Sequence, residues 1–332
     1  MGTGKKKRTA FISVFAILIM VLLGFYGYKR YRIMLDDYFR HSTGAFEIPD
    51  ITKGFIPQGI AYDDASDSFI LTGYMGNGKG SPIYVIDKDS GKVRKKISLK
   101  TEEGKRFKGH AGGISVYGNN TYLAGSTNFC FYVFANPDIM NAEDGGTLCA
   151  GRRIDLKDGK DYIRASFTSV DDSLLYAGEF HKGLLFYTSD THKVETGDSM
   201  QEAFLLGLTV DDGKAVPSLV YSIPDSIQGA CFADGYLYLS QSNGFLPGKI
   251  LSYDIENVRQ QGETEVLGKN VPLYVLTETN ASGTQIIPPM PEEMIVVDGR
   301  MYIAYESASN RYKIGRLLGL DKVLSTPVEY FQ

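Results

Sequence analysis

The sequence predicts an all-β protein, a β-propeller of five four-stranded blades preceded by one N-terminal transmembrane helix. Three observations predict it: an uncharged run near the N-terminus, a hairpin pattern that recurs five times, and apolar strands that follow several of the hairpins. Copies of the hairpin begin roughly 53 to 64 residues apart, which matches four strands with long loops. We therefore divide the chain into residues 1–44, a basic tail, anchor and linker, and residues 45–332, the propeller.

The first forty residues have the features of a membrane anchor. Basic residues at positions 5–8 precede an uncharged run from Thr9 to Tyr28. A helix of about 20 residues matches the hydrocarbon thickness of a bilayer, whereas the apolar core of a cleavable signal has about 7–15 residues. The run ends in the aromatic segment Gly24–Tyr28 and not in the small residues of a cleavage site. An alternative is a buried core helix.

Charge predicts the orientation of the anchor and narrows the range of partners. The basic flank before the run is denser than the one after it, so we expect a single-pass protein of the cell membrane with its N-terminus in the cytoplasm and its propeller outside. Residues 41–332 contain 27 Lys and Arg against 37 Asp and Glu, a formal charge of −10. This balance argues against nucleic acid as a partner. Cations, small molecules, sugars and surface proteins remain as candidate partners.

The repeated unit is a strand, a polar turn and a second strand rich in Tyr, Leu and Ile. Turns of Asp-Gly or Asn-rich sequence between apolar runs favour antiparallel hairpins, because these residues tolerate the required backbone angles. The five copies span residues 58–74, 112–126, 165–179, 228–241 and 292–306.

Further strands complete the predicted blades. A third strand is expected at Pro82–Asp87, Phe129–Phe134, Gly183–Thr188 and Lys249–Asp254, and a fourth at Val93–Leu99 and Val271–Thr277. The segment Phe46–Ile48 is expected to donate the outer strand of the last blade and so close the ring. Two alternatives stay open: a sixth blade between Thr188 and Ser226, where Ala203–Val210 would supply strands or a short helix, and a two-sheet sandwich with an extra domain.

Polar residues recur where the hairpin strands begin and end. Since the first strand of each hairpin leaves one face and the second returns to it, these residues should converge on one mouth of the channel, and concave mouths with convergent polar groups are typical ligand sites. The predicted ligand-binding residues are Gln58, His110, Asn128, Glu179, His181, Gln228, Gln241, Asn243, Glu292 and Glu306.

Histidines and carboxylates in this set allow two further interpretations. Side chains of these types bind divalent cations, so a calcium, manganese or zinc ion is possible, and the candidate ligands are His110, Glu179, His181 and Glu306. A Glu/His pair can also act as a general base, for which the candidates are Glu179, His181 and Glu292. The alternative is a hydrated polar lining without chemistry, and whether the protein is an enzyme stays open.

The three cysteines are too few for a disulfide scaffold. Cys130 and Cys149 lie on either side of a predicted loop and could form a disulfide in an oxidising compartment. Cys231 lies in an apolar strand, which predicts a small core residue.

Over residues 46–332, the repeated Gly-Ile/Ala, polar turn and Tyr-Leu-Tyr-Leu pattern resembles the broad group of propellers that includes gluconolactonase-like, strictosidine-synthase-like and quinoprotein-like repeat proteins. In lactonase-like members a channel metal is held by a Glu near the start of the first blade and by Asn and Asp residues from other blades. Here the first copy begins with Gln58, and the acidic residues cluster in the third and fifth copies.

These observations lead to three functional hypotheses. The first is a membrane-anchored, extracytoplasmic propeller that binds a small ligand or a partner protein at its channel mouth. The second is a metal-dependent, lactonase-like hydrolase with its site in the central channel. The third is a structural ectodomain that supports a membrane complex.

Overall fold

The computed structural model describes residues 3–197, 199–211, 213–312 and 319–332, without the side chains of residues 3–17. The chain divides after His41 into two compact units, and each is described by itself. The first contains one helix, Thr3–His41. Among the described residues, no helix is both long and apolar enough to cross a membrane. The predicted anchor lies partly outside the described side chains, and the membrane span stays a prediction.

The second unit, Ser42–Gln332, is the predicted propeller. Five sheets surround an axis, and the innermost strand of each contacts the innermost strands of both neighbours, so that the ring is closed. The strands of blade 1 are Phe55–Asp63, Ser68–Met75, Pro82–Asp87 and Val93–Lys100, and those of blade 2 are Ile114–Tyr117, Asn120–Gly125, Cys130–Ala135 and Arg152–Asp155. Blade 4 consists of Ile227–Ala233, Tyr236–Gln241, Gly248–Asp254 and Gly283–Ile287, and blade 5 of Pro291–Val297, Arg300–Tyr305, Lys322–Pro327 and Thr43–Glu47.

All five predicted hairpins are confirmed as the two inner strands of a blade. The tightest turns show why these residues form them. Asp234 and Gly235 have φ angles of 51° and 80°, and Asp298 and Gly299 have φ angles of 50° and 69°. A two-residue hairpin turn with both φ angles positive matches the twist of the strands, and Asp-Gly is among the dipeptides that tolerate it best.

Ring closure is also confirmed. The N-terminal strand Thr43–Glu47 pairs antiparallel with Lys322–Pro327, the third strand of blade 5. Blade 5 is thus built from both ends of the propeller, which joins its first and last strands by backbone hydrogen bonds.

Blade 3 differs from the predicted four strands. Its sheet contains, in spatial order, Ala165–Val170, Leu175–Glu179, Ala203–Asp211, Lys214–Ile223, Lys269–Val275 and Gln260–Val266. The predicted fourth strand of the fourth unit, Val271–Thr277, therefore belongs to this sheet, where it runs parallel to Lys214–Ile223. The prediction was wrong because an apolar pattern indicates a strand but does not indicate the sheet to which the strand belongs.

The prediction of a third strand at Gly183–Thr188 was also wrong. Residues 184–187 are exposed, and residues 182–186 form only isolated bridges in a loop. Ala203–Asp211 takes the third position, so the segment that suggested a sixth blade completes the third, and the described residues form five sheets around the axis.

Smaller elements fill the loops. Helix Asn136–Asn141 follows blade 2's third strand, and the ribbons pair Lys157–Asp158 with Asp161–Tyr162 and Val194–Thr196 with Ser199–Gln201. Strand Thr147–Cys149 runs parallel to the outer strand of blade 1. Short 3₁₀ helices are Ile51–Lys53, Ile255–Asn257, Asn310–Tyr312 and Val328–Phe331.

The hydrophobic core lies between neighbouring blades. One cluster joins blades 1 and 2 through residues such as Ile83 and Leu123, and another joins blades 3 and 4 through Leu205 and Leu239. Burial of such side chains contributes about 1.5–3 kcal/mol each. Each of the three cysteines is a free thiol, so the structure contains no Cys130–Cys149 disulfide; Cys231 is buried as predicted.

Candidate functional site

A cavity of about 600 Å³ opens at one end of the central channel. This is the end at which the inner strands of the hairpins begin, so we call it the mouth. A smaller cavity of about 320 Å³ lies at the hairpin-turn end. The mouth is lined mainly by polar, charged and aromatic residues, with two aliphatic ones, Leu185 and Met290; the others are Gln58, Tyr74, His110, Ser126, Thr127, Arg164, Ser166, Phe180, Lys182, Phe186, Tyr187, Gln228, Ser242, Phe245, Glu306, Arg311 and Tyr312.

Glu293 links three blades at the centre of the channel. Its Oε2 accepts hydrogen bonds of 2.9 Å from the backbone N–H groups of Ile60 and Ile114, and Oε1 accepts from the N–H of Thr168 at 2.9 Å. These amides lie on innermost strands. Burial raises the pKa of Glu293 to about 8, although the backbone hydrogen bonds oppose the shift. We conclude that Glu293 holds the ring together.

Small residues make room for this carboxyl group. A Cβ atom on Gly113 would lie 2.6 Å from Glu293 Oε1, and one on Gly59 would lie 2.9 Å from Oε2. The sequence analysis did not select Glu293 as a site residue. The signal was present, because copies 1, 2 and 4 of the hairpin carry glycine at their second position, where copy 5 carries Glu293.

Two buried carboxyl groups lie at the polar floor of the mouth: Glu306 lines the cavity, and Glu292 accepts a hydrogen bond from Gln228, which also lines it. Gln58 Nε2 donates to Glu306 Oε2 at 3.1 Å, and Gln228 Nε2 donates to Glu292 Oε1 at 3.2 Å. Burial raises the pKa of Glu306 to about 7, and burial together with the charge of Glu306 raises that of Glu292. Because like charges in a desolvated place disfavour each other, this pair retains protons near neutral pH.

The rim beside this floor is aromatic and basic. His110 Nδ1 lies 3.2 Å from Gln58 Oε1, and the His110 ring packs on Tyr74 with centroids 4.3 Å apart. The Arg311 guanidinium donates to the Tyr74 hydroxyl group. Desolvation and the charge of Arg311 lower the pKa of His110. The histidine at the rim therefore favours its neutral form and can donate or accept a hydrogen bond.

Half of the predicted ligand-binding residues are at the mouth. Gln58, His110, Gln228 and Glu306 line the cavity, and Glu292 hydrogen-bonds to Gln228. The other five are not among the residues that line the cavity. His181 Nδ1 lies 2.7 Å from Asp225 Oδ1, Asn128 Nδ2 donates to the Tyr132 hydroxyl at 2.5 Å, Gln241 Nε2 donates to Glu278 Oε1 at 2.9 Å, Asn243 is exposed, and Glu179 is buried inside blade 3.

Glu179 belongs to a second buried group, the blade-3 cluster, with His192 and Asp161. Glu179 Oε2 lies 2.8 Å from His192 Nδ1, and Asp161 Oδ1 lies 3.2 Å from Nε2. Desolvation opposes the charge on His192, but the two carboxylates outweigh it and raise the pKa of His192 to about 9. Sequence analysis did not select His192, because it lies outside the hairpins whose ends were compared.

The candidate metal ligands are not gathered. Within the described part of the chain, no group of three or more His, Cys, Asp or Glu side chains is placed to hold a metal ion. His110 and Glu306 both contact Gln58 at the mouth, whereas Glu179 and His181 are bonded to His192 and Asp225. The four candidate ligands are thus divided between the mouth and blade 3, and metal binding stays a prediction.

Comparison with known proteins gives remote likenesses in structure only. No family model matches the sequence, and no curated protein does. The chain is similar to glutaminyl cyclase of Myxococcus xanthus, with 10% identity, 86% of this chain and 94% of that chain covered, and a TM-score of 0.44. It is also similar to the PQQ-bound aldose sugar dehydrogenase of Streptomyces coelicolor, with 12% identity, 86% and 97% covered, and a TM-score of 0.44. Hydrazine synthase of Kuenenia stuttgartiensis shows 13% identity, 83% and 88% covered, and a TM-score of 0.38.

Proposed function

We propose that this protein is a membrane-anchored propeller outside the cytoplasm, whose channel mouth binds a small, hydroxyl-rich ligand with an anionic group, such as a sugar acid or a sugar phosphate. The observation that carries the proposal is the convergence of Gln58, Gln228 and Glu306 on one cavity of about 600 Å³. This volume falls within the range of about 300–1,000 Å³ that is common for ligand pockets.

The lining supports a sugar-like ligand. The side-chain amides of Gln58 and Gln228 and the carboxyl group of Glu306 can both donate and accept hydrogen bonds when Glu306 is protonated, as hydroxyl groups require. Tyr74 and Phe245 add aromatic surface to the wall. A ligand with apolar ring faces and polar edges would use both kinds of surface.

The charge of the mouth supports an anionic group on that ligand. Arg164, Lys182 and Arg311 line the cavity, while the acidic floor retains protons. The Lys182 ammonium group has no hydrogen-bond or ion-pair partner among the described residues. A carboxylate or phosphate group at the rim would form charge-assisted hydrogen bonds with these cations.

The anchor is supported by the described part of the helix. Large apolar side chains between Leu18 and Tyr28 are exposed, Phe25 by 67% and Leu23 by 64%. We expect the full chain to stay with cell membranes in alkaline carbonate and to be released by detergent, and added protease to reach the propeller from outside intact cells. Release by carbonate, or protection of the propeller in intact cells, would contradict the anchor or its orientation.

Ligand binding can be followed by a single fluorescent residue, because the chain contains no tryptophan. In the full chain in lipid nanodiscs, Phe245→Trp places a reporter in the wall of the mouth, and Phe232→Trp places a matched control in the cavity at the other end. Glucose, glucuronate and glucose 6-phosphate serve as probes. We expect saturable changes at position 245 with one of the anionic sugars, weaker changes with glucose, and none at position 232.

A variant at the floor then tests the contact residues. Gln58→Ala should weaken binding of the same probe about tenfold, because one net hydrogen bond is worth about 1 kcal/mol and neighbouring groups lose their partner. If the reporter at position 245 responds to none of the three probes, or if both reporters respond equally, the proposed site is wrong.

A further inference from the structure

We propose that two neighbouring loops at the mouth insert into the surface of a phospholipid bilayer, so that the ligand of the cavity is the anionic head group of an amphiphile. The loops are residues 182–187, the blade-3 loop, and residues 243–247, the blade-4 loop. The inference rests on the proposed function, because it specifies how the ligand of that cavity is presented.

The loops expose apolar side chains to an unusual degree. In the blade-3 loop four consecutive residues are apolar or aromatic, and the exposed fractions are 100% for Leu184, 83% for Leu185, 48% for Phe186 and 59% for Tyr187. The blade-4 loop adds Phe245 and Leu246, which are 47% and 67% exposed. Single exposed apolar residues are common on soluble proteins, but a contiguous group marks a contact surface.

The composition of the loops favours lipid as the contact. Leu and Phe side chains enter the acyl region, Tyr is enriched at the level of the head groups, and Lys or Arg beside them attract anionic lipids. Lys182 begins the blade-3 loop, and the Arg164 guanidinium lies 4.9 Å from the centre of the Tyr187 ring. These cations stand out because residues 41–332 carry a formal charge of −10.

The small extent of the surface argues against a protein partner. A stable protein–protein interface buries about 800 Å² on each partner and takes about 20–30 residues. Among the residues that the structure describes, the large exposed apolar side chains beside the mouth lie on these two loops. Insertion into a bilayer needs no complementary partner surface and suits a contact of this size.

The loops are continuous with the cavity. Leu185, Phe186, Tyr187 and Phe245 line the same cavity whose floor holds Gln58 and Glu306. On the side of these loops, the site therefore changes from an apolar rim to a polar floor. An amphiphile would place the hydroxyl groups of its head group against the floor, its anionic group beside Arg164, Lys182 and Arg311, and its chain along the two loops.

Site-specific labels test the insertion. The full chain with Cys149→Ser is reconstituted in vesicles of phosphatidylcholine and phosphatidylglycerol, since Cys149 is exposed whereas Cys130 and Cys231 are buried. A fluorophore is attached at Leu184→Cys or, as the matched control, at Asp172→Cys, an exposed residue in the hairpin turn at the other end of blade 3. Lipids with a nitroxide on the acyl chain are the quencher.

We expect strong quenching of the label at position 184 and little at position 172, independent of the protein-to-lipid ratio. The substitution Phe245→Ser in the neighbouring loop should reduce the quenching at position 184. A blue-shifted label that lipid nitroxides do not reach would show that protein covers the loop, and it would overturn the proposal. Equal quenching at both positions would also overturn it.

Ligand binding in the cavity and insertion of the loops are tested by different experiments, so either proposal can fail while the other stands. Titration with soluble sugar probes reports on the cavity, whereas quenching reports on the loops. Soluble probes that bind while the label at position 184 stays unquenched would leave the cavity site intact and remove the membrane contact. A chain that does not sediment with the vesicles would overturn both the loop insertion and the anchor.

Discussion

The propeller buries two groups of carboxyl side chains with opposite surroundings. In the blade-3 cluster, Glu179 and Asp161 lie on either side of His192, and both the glutamate and the histidine side chains are fully buried. At the mouth, Glu292 and Glu306 accept hydrogen bonds from neutral amides, their like charges repel each other, and Glu306 lines a cavity.

This difference separates a structural site from a candidate binding site. In the blade-3 cluster, opposite charges lie beside one another away from the cavity. Such a group acts on the local structure that holds it and not on a ligand. Buried like charges beside an open cavity cost stability unless they take up protons, and strongly perturbed groups in a cleft are candidates for function. We therefore assign the blade-3 cluster to the fold and the mouth to the ligand.

The largest effect is expected from Glu179→Ala. The substitution leaves His192 buried without its nearest counter-charge, and breaking a buried pair in this way costs about 3–5 kcal/mol. Chemical denaturation should show this loss in the free energy of unfolding. Asp190→Ala, at a fully exposed position in the loop that carries His192, is the matched control and should change the free energy of unfolding by less than about 0.5 kcal/mol. If Glu179→Ala lowers the free energy of unfolding as little as the control does, the blade-3 cluster does not serve the fold.

A smaller loss is expected from Glu293→Gln. The amide keeps the shape of the side chain, but its NH₂ group cannot accept from the backbone amides that Glu293 now binds. Leaving buried N–H groups without an acceptor costs about 1–3 kcal/mol. The same denaturation experiment measures it, and a neutral or stabilising result would show that Glu293 is not a link between the blades.

Stability should fall as the pH rises from 5 to 9. The folded pKa values of Glu306, Glu293 and His192, about 7, 8 and 9, all lie above their ordinary values, so the folded state binds more protons than the unfolded state between the two sets of values. Thermal melting across this range gives the slope. Glu306→Gln should flatten it below pH 7, and His192→Ala above pH 6.5. A Tm that rises with pH would contradict the assigned shifts.

No loss of stability is expected at the mouth. Glu306→Gln removes a carboxyl group whose pKa the fold raises and keeps a partner for Gln58, so the free energy of unfolding at pH 7 should stay the same or rise. A loss of several kcal/mol in denaturation would mean that the mouth pair, like the blade-3 cluster, serves the fold.

Much of the architecture was predictable because the propeller repeats one local signal. Each turn, such as Asp234–Gly235, favours a hairpin through the backbone angles that its residues adopt. Phe46 lies in an apolar segment outside the five copies, so its pairing with the last blade could be predicted. The assignment of Lys269–Val275 to blade 3 was not predictable, because strand pairing across a long loop depends on which sheet edge is free.

The site was predictable only in part for a related reason. Strand starts such as Gln58 and Gln228 take their direction from the hairpin itself, so they reach the mouth as expected. Residues beyond the second strand, such as His181 and Asn243, take theirs from the loop that follows, whose path the repeat does not determine. The same limit explains why His192 and Arg311, both outside the repeated hairpins, were not selected.

The most direct test of the central claim compares both carboxyl groups in one experiment. Full chains with the Phe245→Trp reporter and either Glu306→Gln or Glu179→Gln are titrated with the anionic sugar that binds the parent protein, and their melting temperatures are measured in the same buffer. We predict that Glu306→Gln changes the affinity for the sugar about tenfold and does not lower Tm, whereas Glu179→Gln lowers Tm and leaves the affinity of the folded protein unchanged. The reverse pattern would contradict the assignment of the two clusters.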